Sequence, residues 1–256
     1  MKIRPKLIAL DLDGTILHDD KTISAFTYQV LQQCRERGIK LAIATARPVR
    51  TAKEYCQQLR PAYTVCHNGA VIVTKDTTWS YGISSEDTRR ILNFLANQTS
   101  VREMAVEIHD CLYANYEADK TWPGLFFIRS NLQQLPEENA DKLLFNFTVD
   151  DDLSGLYREF AKDFNIEIAD GTMGMIMSKT ASKLSALRQI TRIEKMNLED
   201  VLYFGDDDND VESVRQCGMG IAVANSNARV KAAADAICEE NNEDGVARWV
   251  QAHVLD

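Results

Sequence analysis

Two acidic segments carry the residue types whose chemistry is easiest to infer. They read Asp11-Leu12-Asp13-Gly14-Thr15 and Gly205-Asp206-Asp207-Asp208-Asn209-Asp210, and each directly follows an apolar run. Carboxylates about 4 Å apart repel by about 4 kcal/mol per pair at an effective dielectric of about 20, unless a cation or protons neutralise them. Oxygen ligands without His or Cys suit Mg²⁺, which leaves positions open for water and phosphate oxygens. If the fold joins them, the segments predict a magnesium site suited to phosphoryl transfer.

Aspartate also favours Asx turns and helix N-caps, so each segment has a structural explanation as well. Asp207 and Asp208 precede a predicted helix, and for them the structural and functional explanations have equal support. For Asp11 and Asp13 together, the functional explanation is favoured.

Alternating strands and helices place both acidic segments at one edge of a parallel sheet. Predicted strands over residues 6–10, 39–44, 63–66 and 201–204 end at Asp11, Thr45, the Asn68-Gly69 turn and Gly205. Alternation of this kind implies right-handed crossovers, and ligands bind at the carboxyl edge of such sheets. The remaining predicted elements of this part are helices over 24–37, from 48, and over 182–194, 208–216, 227–234 and 245–252, with strands over 70–74, 220–223 and 236–238.

The pattern changes between Gly82 and Ser178. Strand pairs and single helices there predict an inserted α+β domain with an antiparallel sheet. The core domain is therefore discontinuous, covering residues 1–81 and 179–256, and the insertion covers 82–178. The predicted elements of the insertion are helices over 84–97 and 152–164 and strands over 103–108, 111–116, 142–149, 166–169 and 175–177.

Composition restricts the classes of partner. The 256 residues are 45% apolar and 26% charged, enough for two cores. A net charge of −9 argues against broad binding to nucleic acid or to anionic membranes. No signal-peptide core opens the chain, no apolar run approaches the roughly 20 residues of a membrane span, and the six cysteines form no CxxC pair. We expect a cytoplasmic protein with free thiols, as a monomer or weak dimer.

Four segments, in order, resemble the haloacid dehalogenase superfamily. They are the first acidic segment, Thr45, Lys183 and the second acidic segment, and the stretch Asn241-Asn242-Glu243-Asp244-Gly245-Val246-Ala247 is similar to a C-terminal signature of the Cof-like group. The insertion resembles that group's type IIB cap in position and size. The resemblance implies a Rossmann-like α/β core with an inserted α+β cap, and a Mg²⁺-dependent phosphatase acting on small phosphorylated metabolites.

The resemblance also implies roles for individual residues. Asp11 would attack phosphorus and form an aspartyl-phosphate, and Asp13 would act as general acid and base. Thr45 would donate a hydrogen bond to the phosphoryl group, and Lys183 would supply charge to it. Mg²⁺ would be held by the Asp11 side chain, the Asp13 carbonyl and Asp206, with Asp210 supporting the site. The implied substrate-binding residues are Thr45, Ala46, Arg47, Asn68, Gly69, Lys183 and Asn209.

Some residues depart from the family pattern or have a second explanation. Ala46 and Leu184 stand where the family often has glycine, so a catalytically silent metabolite-binding protein stays open. Asn68-Gly69 is equally well explained as a hairpin turn, and Arg47 is slightly better explained by pairing with a core carboxylate. Candidate leaving-group contacts in the cap are His109, Tyr113, Tyr116, Trp122, Arg129 and Met175.

Two other functions use similar residues. A sugar phosphomutase would transfer the phosphoryl group between hydroxyls instead of to water. A receiver-like signalling domain also uses Asp, Mg²⁺, Thr and Lys, but it would be about half as long and needs no acid at Asp13.

Overall fold

The chain divides into two compact units. A computed structural model describes residues 4–148, 150–169 and 171–256, so residues 1–3 of the predicted core and the predicted strand end at Val149 lie outside the described residues. One unit, here called the core unit, comprises Met1–Trp79 and Ser182–Asp256, and the other, the inserted unit, comprises Ser80–Ala181. We propose that the second is the inserted domain predicted from the sequence.

The described strands and helices alternate along the core unit. The strands are β1 (Leu7–Leu10), β2 (Lys40–Ala44), β3 (Tyr63–Cys66), β4 (Val71–Val73), β5 (Thr78–Ser80), β6 (Glu103–Ile108), β7 (Cys111–Ala114), β8 (Ile128–Arg129), β9 (Lys142–Asn146), β10 (Phe164–Ala169), β11 (Met173–Ser178), β12 (Val201–Gly205), β13 (Met219–Val223) and β14 (Ala236–Cys238). The helices are α1 (Ala25–Glu36), α2 (Val49–Leu59), α3 (Ser85–Gln98), α4 (Ala118–Thr121), α5 (Ser154–Phe160), α6 (Lys183–Glu194), α7 (Val211–Gln216), α8 (Ala228–Ala233) and α9 (Gly245–Val250). Over the described part of the chain, no helix is both long enough and apolar enough to cross a membrane.

The core unit is built on a sheet ordered β14-β13-β12-β1-β2-β3-β4-β5. The strands from β14 to β3 are parallel, and β4 runs antiparallel to β3. All residues of β1 and β12 are buried, as expected for strands that are covered on both faces. The predicted α/β class with a parallel core is confirmed.

The strand order brings distant segments to one edge. Leu10 at the end of β1 is in register with Phe204 of β12 on one side and with Ile43 of β2 on the other. The chain leaves β1 in one direction across the sheet and leaves β12 in the other, so the order reverses between these two strands. Ligands of such sheets bind at the carboxyl edge beside this reversal, and Asp11 and Asp206 directly follow the two strands.

The inserted unit has a six-stranded sheet ordered β10-β11-β9-β6-β7-β8. Its pairs are antiparallel except for the short parallel pair β7·β8. Helices α3 and α5 contribute to the apolar core on one face, where Phe94 and Phe160 contact edge to face at 5.2 Å. This unit has the α+β character that the sequence predicts.

The predicted helix over 152–164 is wrong at its C-terminal end. Helix α5 ends at Phe160, and Phe164 begins β10 by pairing with Ser178. Phe164 and Ile166 alternate as in a strand and pack on the core shared with Phe160. Their aromatic and branched side chains also fit a helix face, so the turn after Phe160 was not apparent from apolar spacing.

Candidate active site

Three carboxylates cluster at the carboxyl edge of the core sheet. Asp11, Asp206 and Asp210 each place a carboxylate oxygen within 4.8 Å of the others. Asp11 follows β1, Asp206 follows β12, and Asp210 ends the helical turn Asp208–Asp210 that leads into α7. The two acidic segments that the sequence singled out therefore meet in one cluster.

Lys183 lies between two of these carboxylates. Its Nζ donates to Asp11 Oδ1 at 2.8 Å and to Asp210 Oδ1 at 2.7 Å, and the residue is 1% exposed. Ser182 caps α6 by accepting from the Ser185 N–H, which places Lys183 at the first helical position. Gly69 allows this approach, because a Cβ there would lie 2.2 Å from the Ser182 carbonyl oxygen.

Asp210 is saturated by protein donors. Its Oδ1 accepts from Lys183 and from the Tyr203 hydroxyl at 2.5 Å, and its Oδ2 accepts from the backbone N–H of Asp206 at 3.1 Å and of Asp207 at 3.2 Å. A carboxylate offers about four lone-pair sites, and all are used here. Burial, reinforced by the Asp210 charge, raises the pKa of Tyr203 well above its usual value, so the phenol stays a donor. The geometry suits Asp210 for orienting Lys183 and the Asp206 backbone.

The cluster carries more negative charge than its protein partners neutralise. Burial raises the pKa of Asp11 well above its usual value; Lys183 opposes this shift, while Asp210 and Asp206 add to it. Burial also raises the pKa of Asp206 to about 6, against the Thr15 hydroxyl that donates to it at 2.8 Å. Three ionised carboxylates beside one ammonium leave two negative charges. A divalent cation with oxygen ligands fits this donor set.

The Asp13 carboxylate points away from the cluster, toward two cations. Arg47 Nε donates to Asp13 Oδ2 at 2.6 Å and Arg47 Nη2 to Oδ1 at 2.7 Å, and Lys21 Nζ donates to Oδ1 at 2.9 Å. Partial burial disfavours the ionised form, but these hydrogen bonds and charges outweigh it and lower the pKa of Asp13 to about 2. The guanidinium of Arg47 also lies 5.0 Å from the centre of the Tyr55 ring.

The remaining predicted site residues form one network beside Asp13. Thr45 is buried at the end of β2, and its hydroxyl oxygen accepts from the Arg47 N–H at 3.2 Å. The Asn68 N–H donates to the Thr45 carbonyl at 3.1 Å, and Asn209 Nδ2 donates to Asn68 Oδ1 at 3.0 Å. Asn209 Oδ1 is buried and accepts no hydrogen bond from the described residues, so it can accept one from a ligand. Ala46 is exposed between Thr45 and Arg47.

Comparison with known proteins places this chain in a family. The model of the haloacid dehalogenase-like hydrolases matches residues 8–250. The chain belongs to this family. A 5-amino-6-(5-phospho-D-ribitylamino)uracil phosphatase of Bacillus subtilis is 29% identical to it, over 99% of this chain and 99% of the relative.

Solved structures agree in fold. The protein TM0651 of Thermotoga maritima superposes with a TM-score of 0.87 at 23% identity, over 98% of each chain. A subclass IIB sugar phosphatase of the same superfamily superposes with a TM-score of 0.81 at 19% identity, over 96% of this chain and 98% of that one. The predicted family and fold are confirmed, and the protein is a hydrolase of phosphoric monoesters.

Some residues around the site of this hydrolase were not apparent from its sequence. Lys21 stands in a polar loop that looks like a solvated surface, and Tyr203 stands in an apolar strand where an aromatic residue normally fills the core. Thr15 had a signal, since it belongs to the first acidic segment. Asp207 and Asp208 take structural roles: Asp207 caps the turn before α7, and Asp208 accepts from Arg229 at 2.7 Å.

The six candidate leaving-group residues have partners within the inserted unit. His109 contacts Glu138 at 2.7 Å, and Arg129 contacts Glu117 at 3.0 Å. Tyr113 packs against the core beneath α3 and α5, whereas Tyr116, Trp122 and Met175 belong to a second apolar cluster around Leu144. Their contact with a leaving group stays a prediction.

Replacement of Lys183 by Met is expected to destabilise the metal-free hydrolase by about 3–5 kcal/mol, because it leaves Asp11 and Asp210 buried without their cation. Urea unfolding at neutral pH measures this difference. The matched control is Lys120→Met at an exposed position of α4, for which we expect a change within about 0.5 kcal/mol. Equal stability of the two variants would contradict the role assigned to Lys183.

Proposed function

We propose that this protein is a Mg²⁺-dependent phosphatase in which Asp11 is the nucleophile. The observation that carries the proposal is the placement of the Asp11 carboxylate, which follows β1, in a cluster with Asp206 and in contact with Lys183. A carboxylate that attacks phosphorus replaces one difficult displacement by two easier ones. No other carboxylate of the cluster is as suitable, since Asp210 is saturated and Asp206 accepts from Thr15.

The reaction has two balanced halves. Asp11 forms a bond to phosphorus while the bond to the leaving oxygen breaks, and Asp13 gives that oxygen a proton. Asp13 then takes a proton from water as the water oxygen bonds to phosphorus, which releases inorganic phosphate and the Asp11 carboxylate. Asp13 thus acts first as acid and then as base.

Asp11, Asp206 and the Asp13 carbonyl are the groups that would hold Mg²⁺. When bound, Mg²⁺ neutralises carboxylate charge and polarises phosphoryl oxygens. Lys183 adds a positive charge beside Asp11, and Thr45 offers its hydroxyl as a donor. Asp210 fixes Lys183 and the Asp206 backbone, so that the charges are already in place when the substrate arrives.

A metal ion and protons compete for Asp206. Since the pKa of Asp206 is raised to about 6 without metal, Mg²⁺ must displace a proton below that pH. We therefore expect the apparent Mg²⁺ affinity to weaken as pH falls from 7 to 5. Titration calorimetry at several pH values measures it, and Asp206→Asn should remove most of the binding. An affinity that does not change with pH would count against Asp206 as a ligand.

The proposed substrate is a small phosphorylated metabolite. A Bacillus subtilis relative acts on a phosphorylated ribitylamino pyrimidine, and a sugar phosphatase shares the fold. Ala46 and Gly69 offer no polar side chain beside the phosphoryl site, whereas Arg47 and Asn209 do. These residues suit recognition of the phosphoryl group, which every candidate substrate shares.

The test is a screen of phosphorylated metabolites, with an aryl phosphate as reference, in the presence of Mg²⁺ and then with a chelator. We expect release of inorganic phosphate that stops on chelation and returns when Mg²⁺ is added back. Isomer formation from hexose phosphates without phosphate release would instead show a phosphotransferase. Binding without turnover would show a silent metabolite-binding protein.

A further inference from the structure

The loop over residues 14–21 determines which cation faces Asp13. It leaves the nucleophile strand at Gly14 and returns at Lys21, whose Nζ contacts Asp13 at 2.9 Å. Lys21 has a left-handed backbone with φ of 65°, and its carbonyl accepts from the Tyr55 hydroxyl at 3.2 Å. The surroundings of Asp13 therefore depend on how this loop is held.

Asn225, an exposed residue after β13, holds the start of the loop. Its Nδ2 donates to the Gly14 carbonyl at 2.7 Å, and its Oδ1 accepts from the Asn241 N–H at 3.0 Å. Both ends of the amide are thus used, and α8 is capped by Asn227 instead. An exposed side chain with two fixed partners and no capping role has little purpose in folding.

Gly14 has no space to move away from Asn225. Its backbone is left-handed with φ of 71°, and a Cβ there would lie 2.4 Å from Asp206 Oδ2. The peptide that follows Asp13 therefore lies against the cluster carboxylate, while its next carbonyl is held by Asn225. Because Gly14 adjoins Asp13 directly, a rotation of this peptide would move the Asp13 backbone.

Asn241 supports Asn225 from behind. It is buried, and its Nδ2 donates to the Leu17 carbonyl at 2.9 Å and to Asp19 Oδ1 at 3.0 Å. Asn242 contacts only the far part of the loop, by donating to Asp19 Oδ2 at 2.9 Å and accepting from the Asp19 N–H. The contact nearest to Asp13 is thus made by Asn225 alone among these three residues.

We propose that Asn225 is a positioning residue for the acid–base group Asp13. The inference rests on the proposed function, since it assumes that Asp13 protonates the leaving oxygen. Loss of Asn225 would let the Gly14 peptide rotate and displace Asp13 from its reach to that oxygen. Proton transfer would slow, while attack by Asp11 would be unaffected.

Leaving-group chemistry separates this role from a structural one. An aryl phosphate has an acidic leaving group that departs with little proton donation, whereas an alkyl phosphate needs the proton. The ratio kcat/KM reports the steps up to the first irreversible one, here the cleavage of the substrate P–O bond. A defect in Asp13 placement should therefore appear in kcat/KM for an alkyl phosphate and spare an aryl phosphate.

The experiment compares Asn225→Ala with wild type on p-nitrophenyl phosphate and on an alkyl phosphate that the wild type hydrolyses. We expect kcat/KM to fall roughly tenfold for the alkyl ester and less than twofold for the aryl ester. The matched control Asn242→Ala should behave as wild type on both. In an Asp13→Asn background, Asn225→Ala should cause no further loss.

Equal losses on the two esters, or no loss on either, would overturn the role of Asn225. These results leave the proposed function intact as long as Asp13→Asn still discriminates between the esters. If Asp13→Asn slows both esters equally, the acid role of Asp13 fails and the proposal for Asn225 fails with it.

Discussion

Replacement of Asp11 by Asn is expected to abolish phosphate release from every substrate of this hydrolase, including a reactive aryl phosphate. An amide is too weak a nucleophile to form the phosphoryl intermediate, and the substitution also removes a charged group from the proposed metal site. A malachite-green assay with Mg²⁺ present measures the loss. We expect activity at least about 10⁴-fold below wild type.

The same substitution should not unfold the protein. The raised pKa of Asp11 means that the folded state favours its protonated form, so the ionised carboxylate destabilises the metal-free fold at neutral pH. A neutral amide removes that cost, and Lys183 keeps its contact with Asp210. Thermal unfolding without metal should therefore show an Asp11→Asn variant as stable as wild type or more so.

Asp208→Asn is the matched control for Asp11→Asn. Asp208 lies in the second acidic segment but accepts from Arg229 and Asn227 at the surface. We expect this variant to keep activity within about twofold of wild type. If Asp11→Asn retained full Mg²⁺-dependent activity, the nucleophile would have to be another residue.

The approach of Lys183 to Asp11, 172 positions away, could be predicted from the alternation of strands and helices. Parallel strands place their carboxyl ends together, so each residue that follows such a strand is a candidate for the same edge. Asp11, Thr45, Asn68 and Asp206 all followed from this rule. Lys183 begins a helix instead, and only its place in the family order singled it out.

Other features depend on information that spacing does not carry. Tyr203 looks like a core aromatic residue, because its strand is apolar on both faces, and nothing local shows that its hydroxyl meets Asp210. The short strands β5 and β8 contain too few residues to show a period of two. The structure, not the sequence, also shows that Asp210 has four donors.

The direction of the Asp13 side chain belongs to the same class. The sequence places Asp13 two positions after the nucleophile but cannot give its rotamer. Arg47 and Lys21 reach it from α2's N-terminal approach and from the loop over 14–21, and their side chains decide which way the carboxylate turns. The sequence weighed Arg47 between a substrate anion and a core carboxylate, and the structure pairs it with Asp13.

Replacement of Asp13 by Ala is expected to slow turnover of an alkyl phosphate by roughly 10²–10⁴, the usual contribution of a general acid–base group. Wild type and variant are compared by kcat at saturating substrate and Mg²⁺. Asp13→Asn should lose a similar amount, because an amide keeps the shape and some hydrogen bonds but transfers no proton. A loss of less than twofold in both variants would exclude the acid–base role.

The contacts of Asp13 also predict how its two duties differ. With the pKa of Asp13 lowered to about 2, Arg47 and Lys21 keep it ionised at neutral pH, as a base that activates water must be. To act as an acid, Asp13 must separate from these cations and take up a proton near the leaving oxygen. Arg47→Met should therefore slow a step that requires the base more than one that requires the acid, and rapid-quench kinetics separate the formation of the aspartyl-phosphate from its hydrolysis.

A stability measurement tests the same contacts without substrate. Because its folded-state pKa lies below the ordinary value of 3.8, Asp13 contributes stability that is present above pH 3.8 and is lost as pH falls through about 2. Its side chain is 40% exposed, so this contribution is modest. Asp13→Ala should accordingly be slightly less stable than wild type at pH 7, where Arg47 and Lys21 are left as adjacent cations, and the difference should shrink toward pH 2. A difference that does not change with pH would place the stabilising effect of Asp13 in packing instead of in its ion pairs.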